Sequence, residues 1–104
     1  MLEKVKSFSM PTVLTGDFNF HENDPLFALP SQAGLRYART TAKNSMNGPT
    51  YHNYRPENYY YSTPMDHIWV NSGVRSVETY RIVTDKLHGS FVSDHYPVYT
   101  DIIL

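Results

Sequence analysis

Apolar positions along the chain come in short runs separated by turn-forming residues, and their spacing predicts several strands and one helical region. Residues 2–8 alternate apolar and charged positions as one or two helical turns would, stopped by Pro11. Residues 12–15 form a β-prone run of the kind expected of a buried, parallel-type strand. Asn23 or Asp24 followed by Pro25 marks a helix start: a capping side chain, then proline at the first helical position. Leu26, Phe27 and Leu29 line that helix, Pro30 opens a further turn, and Gly34 fits its C-terminal cap.

Residues 36–47 are polar and end in the turn signal Asn47-Gly48-Pro49. Residues 50–54 alternate as a strand, and 55–63 read as a loop. Residues 65–70 (MDHIWV) form a buried strand closed by Asn71-Ser72-Gly73. In 74–84, Val77, Thr79, Arg81 and Val83 fall on one face and Glu78, Tyr80 and Ile82 on the other, which predicts another strand. A loop at 86–94 leads to a last apolar strand at 98–104. One strand and helix followed by four strands imply an α/β fold, a mixed sheet with a helix packed on one face.

Composition narrows the class. A chain of 104 residues supports one modest domain. Hydrophobic content of 40% with 18% charged residues argues against wholesale disorder. A net charge of -1 removes the simplest electrostatic case for a nucleic-acid binder. With no cysteine there is no disulfide frame, thiolate metal site or cysteine nucleophile. The first residues, MLEKVKSFSMP, lack a signal-peptide core, and no segment reaches membrane-spanning length, so the chain reads as soluble with its compartment open.

Three places carry candidate chemistry. Asp17 and Asn19 stand two apart at the end of the first strand, so in extended backbone both leave one face, and Gly16 before them lets the chain turn or a ligand approach. An acid and an amide so placed suit orienting a water near a metal or phosphate. The alternative is turn chemistry, with both side chains capping their own backbone. Ser93-Asp94-His95-Tyr96-Pro97 offers a general base, phosphate contact or metal ligand, or a local hydrogen-bonded turn. Asp66 is a carboxylate in an apolar strand, costly to bury unless paired, with a histidine as its natural partner, or else a strand-end Asp bonded to a neighbouring backbone amide.

Taken in order, these places form a pattern. GDFN, then an apolar strand opening with Asp (MDHIWV), then SDHYPV before a terminal strand, resembles the endonuclease/exonuclease/phosphatase family of DNase I-like fold. PTYHNY at 49–54 is similar to that family's Thr-aromatic strand. The resemblance implies a four-layer α/β sandwich, two mixed sheets face to face with helices outside, and a divalent-metal site for Mg²⁺ or Mn²⁺. It implies hydrolysis of phosphate esters by an activated water. By that resemblance Asp17 orients or deprotonates the water, and Asn19 holds the water and phosphate oxygens. His95 contacts the scissile phosphate, Asp66 orients and polarises His95, and Asp94 lies at the metal. Whether the Asp or the His acts as base stays open.

The family's first half, including its principal metal-binding Glu, has no counterpart here, because Glu3, Glu22, Glu57 and Glu78 stand in other contexts. Residues 1–104 are therefore expected to be the C-terminal half of such a domain, weakly active or inactive alone. Its uncovered apolar face would favour self-association or pairing with a separate first half. The rival reading is a non-catalytic binding or structural module that keeps the fold. The phosphate-ester substrate is open in class, nucleic acid included. Tyr54, Tyr59, Tyr60 and Tyr61 offer stacking for a base or sugar, or pack as a rim. His52 and His67 read as strand residues satisfied locally, His21 and His88 as surface residues.

Overall fold

The computed structural model describes Lys4 and residues 9–18, 20–54, 63–86, 88–91 and 93–104. Among these, strands β1 (Val13–Asp17), β2 (Arg36–Tyr37) and β4 (Asp66–Val70) form one sheet in the order β1-β4-β2, with both pairings antiparallel. The second sheet runs β3 (Asn44–Ser45), β5 (Ser76–Ile82), β6 (Val98–Ile103). There β3 is parallel to β5, and β6 is antiparallel to it. A single 3-10 turn (Pro25–Phe27) runs into helix α1 (Ala28–Gln32), and α2 (Ala38–Thr41) follows β2.

β4 organises the core because both of its faces are covered. Ile68 and Val70 point to one side and meet Val77, Tyr80 and Ile82 of β5, with Ala38 and Tyr96 closing the cluster. His67 and Trp69 point to the other side, where Trp69 packs with Leu35 and Tyr37 against Leu14, Phe18, Phe20 and Phe27. A strand buried on both faces reads as a continuous apolar run, which is how 65–70 reads.

The helical start forms as its sequence dictates. The Asp24 carboxylate accepts the Leu26 N–H at 2.9 Å and Pro25 opens the turn. Pro30 lies within α1. Gly34 takes a left-handed φ of 88°, and the Leu35 N–H reaches back to the Pro30 carbonyl at 3.0 Å, closing a Schellman end. Asn71 ends β4 by accepting the Thr12 and Gly73 N–H groups and donating to the Met10 carbonyl.

Several expectations are corrected. β1 is antiparallel and largely exposed rather than buried, because among the described residues it is a sheet edge paired only with β4. The polar stretch 36–47 holds β2, α2 and β3, elements of two to four residues that are too short to set a periodicity. Residues 50–54 give one bridge, Tyr51 to His95, instead of a strand. In β5 a bulge between Val77 and Thr79 shifts the alternation, so Val77 joins Tyr80 and Ile82 in the core. The expected first helix and the 55–63 loop lie outside the described residues, except Lys4 and Thr63.

Candidate active site

The ladder between β1 and β4 sets Asp17 directly opposite Asp66. Partners in an antiparallel ladder share a face, so two carboxylates stand side by side, an arrangement that repels unless a cation or hydrogen-bond donor intervenes. His95 supplies that donor. Its Nδ1 lies 2.7 Å from Asp66 Oδ2, and its Nε2 lies 3.6 Å from Asp17 Oδ2. An ionised carboxylate only accepts, so Nδ1 carries the hydrogen and Nε2 is left facing Asp17.

Burial alone would lower the His95 pKa, but the Asp66 hydrogen bond and the charges of Asp66, Asp17 and Asp94 outweigh it and raise it. The imidazole thus keeps its proton to higher pH than an ordinary histidine. Asp17 is the more exposed acid, with 39% of its side chain accessible against 18% for Asp66. A recess of about 270 Å³ opens beside the pair, lined by Thr15, Gly16, Asp17, Asp66, His67, Ile68 and Val98.

Thr50 joins the two loops behind this cluster. Its buried hydroxyl accepts the N–H of Met65 (2.9 Å) and of Asp66 (3.2 Å), and its carbonyl accepts the Tyr96 N–H at 2.6 Å. The Asp94 carbonyl accepts the His52 N–H at 2.9 Å, and Ser93 Oγ accepts the His95 N–H at 3.1 Å. The His95 loop and the start of β4 are therefore fixed to each other through backbone.

Asp17, Asp66 and His95 each offer one ligand atom, all within 4.8 Å of one another. Oxygen donors of opposed like-charged carboxylates fit a hard divalent cation, and one imidazole is compatible with it. Asp94 lies outside that group of three, although its charge acts on His95. Asn19 falls outside the described residues. Gly16 sits in regular β1 without a left-handed φ, and an added methyl would meet the Phe18 ring at 3.5 Å, an ordinary contact. Its place is at the recess wall rather than in a turn. Thr50 and His67 were not singled out by sequence as functional; only the Thr before an aromatic pair hinted at the first.

A family profile described as the Endonuclease/Exonuclease/phosphatase family matches residues 2–95. The chain belongs to that family. Its mixed α/β fold with two sheets matches structures of that family, as the GDFN–MDHIWV–SDHYPV order implied. A mannosyl-6-phosphatase of Bacteroides thetaiotaomicron is 27% identical with a TM-score of 0.82, over 98% of this chain and 42% of that one. An endonuclease/exonuclease/phosphatase family protein of the same organism is 25% identical with a TM-score of 0.80, over 98% and 39%. A functionally unknown conserved protein of Enterococcus faecalis is 26% identical with a TM-score of 0.79, over 97% and 40%. No curated protein gives a significant match. This family member spans about two fifths of the length of those solved structures. Among its described residues no helix is long and apolar enough to cross a membrane.

Proposed function

We propose that this chain carries the water- and phosphate-handling half of a metal-assisted phosphoesterase site. The observation that carries the reading is the Asp66–His95–Asp17 alignment at the mouth of a recess. Asp66 holds the His95 ring and its proton, so Nε2–H donates to an equatorial phosphate oxygen as charge grows there. Asp17, across the mouth, orients the attacking water and takes its proton. Asn19 holds that water and the phosphate oxygens. Mg²⁺ or Mn²⁺, with Asp94 at it, would neutralise phosphate charge.

The substrate class we favour is a phosphomonoester on a sugar, supported by the mannosyl-6-phosphatase among the similar structures. A phosphodiester of nucleic acid is the second class, and the net charge of -1 disfavours it. We take residues 1–104 as the C-terminal half of the family domain, lacking the principal Glu ligand, so turnover by the chain alone is slow. Mg²⁺-dependent phosphate release from mannose 6-phosphate should be slow and should fall to background in His95→Ala. Release indifferent to that substitution would contradict the site. Fast release by the wild type would contradict the half-site reading.

The rival is a non-catalytic module that keeps the fold; it expects phosphate binding without release. The chain should also self-associate or pair with a separate first half. Among the described residues β6 ends one sheet, and Tyr99, Ile103 and Leu104 are exposed on or beside it. A monodisperse monomer in light scattering would rule that out.

A further inference from the structure

Asp66 and His67 are consecutive in β4, so their side chains leave opposite faces. Asp66 takes the face that meets His95. His67 is buried on the other face, among the aromatics, and its hydrogen bonds run to the segment that follows Asp17. Its Nε2 lies 2.6 Å from the Phe20 carbonyl, which can only accept, so Nε2 donates. Its Nδ1 lies 2.8 Å from the Tyr37 hydroxyl, which also reaches Glu22 Oε2 at 3.0 Å. Burial and the Glu22 charge push the Tyr37 phenol far above its ordinary range, so it keeps its proton. Glu22 is in turn held by both Nε and Nη2 of Arg39.

The aromatic rings reinforce the same link. Phe20 stacks on the His67 ring at 5.3 Å and 24°, and Phe18 at 6.2 Å and 27°. The residues on both sides of position 19, and Glu22 beyond them, are therefore tied to one imidazole. Other contacts hold the same segment: the Phe18 N–H meets the Met65 carbonyl at 3.4 Å, and His21 Nδ1 lies 3.0 Å from Thr63 Oγ1. Phe18 packs edge-on to Trp69 and Phe20 edge-on to Phe27, but among these contacts only the His67 bond to the Phe20 carbonyl is a hydrogen bond from a buried ring of β4. A buried imidazole costs more than an apolar ring unless its nitrogens are bonded. In exchange it gives direction, because a hydrogen bond to a loop carbonyl fixes where that loop runs.

We infer that His67 is a positioning residue of the site: it clamps the loop leaving β1 and so sets where Asp17 stands. One dipeptide of β4 then serves both halves of the cluster, Asp66 holding His95 and His67 holding the Asp17 loop. The kinetic consequence rests on the phosphoesterase reading; the structural one does not. A misplacement of about 1 Å at reacting groups costs roughly 100-fold in rate.

Amide hydrogen exchange and thermal unfolding of His67→Phe, His67→Gln and His67→Asn in the full chain test this. Gln can place an amide N–H where Nε2–H donates, Asn reaches toward Tyr37 but not Phe20, and Phe fills the ring's space without a donor. We expect His67→Phe to speed exchange at the Phe18 and Asp24 amides by about 10-fold relative to β5 amides. His67→Gln should stay within about 3-fold of wild type at those amides, and His67→Asn should not. In phosphate release the same order should appear in kcat, roughly 100-fold down for Phe, with KM changed less than about 3-fold. Equal exchange in the Gln and Asn variants, or a rise spread evenly into β5, overturns the inference, even if the Phe variant fails to fold. A wild type that releases no phosphate overturns the phosphoesterase reading and leaves the exchange comparison standing.

Discussion

β1 and β4 are neighbouring strands of five residues, and each brings one aspartate to the same end of the sheet. Their surroundings differ completely. β4 is buried on both faces, and Asp66 is fixed by the Thr50 hydroxyl behind it and His95 in front. β1 is an exposed edge, and Asp17 stands at the recess mouth. Under the proposed function the contrast separates two tasks. A carboxylate that orients a histidine gains from rigidity and burial, whereas one that meets water and substrate needs access.

The sharpest way to break the comparison is in the core. Trp69→Ala on β4 should cost about 3–5 kcal/mol, while Leu14→Ala, its half-buried ladder partner on β1, should cost about 1 kcal/mol, both read by denaturant unfolding. Similar losses for the two would mean that β4 does not organise the fold. Next in size is Thr50→Val, which keeps the shape but leaves the Met65 and Asp66 N–H groups without their acceptor. It should cost about 1–3 kcal/mol and lower the melting temperature accordingly.

A smaller effect lies in pH. The folded His95 pKa is raised, so its contribution to stability is complete below the ordinary value of 6.5 and is lost as pH rises through the folded value. In metal-free buffer, wild type should lose stability over that rise, and Asp66→Asn should flatten the loss and bring the imidazole titration down, as followed by NMR. An unchanged titration in Asp66→Asn would mean that the pair does not hold the proton.

Much of the site was legible because its parts sit at strand ends that sequence marks clearly. Gly-Asp after an apolar run, Asp opening MDHIWV and Asp-His before Tyr-Pro each announce a polar group where a strand stops. Their meeting was legible only through the resemblance, since Asp17, Asp66 and His95 are far apart in the chain. Elements of two to four residues carry no periodicity, so β2, α2 and β3 were hidden in a stretch that looked like loop. The bulge in β5 reversed a face assignment that strict alternation made confidently, because one extra residue is invisible in a pattern of period two. Thr50 and His67 were hidden for another reason: their importance lies in which backbone groups they meet, and those partners are set by the tertiary fold.

The most direct measurement is Asp17→Asn, followed by thermal unfolding and by Mg²⁺-dependent phosphate release together. Removing one of two opposed charges at an exposed position should leave stability within about 0.5 kcal/mol or raise it slightly. Phosphate release should fall by roughly 100-fold or to background. Retained hydrolysis, or a loss that only follows unfolding, would contradict the assignment of Asp17 to the chemistry and of Asp66 to its support.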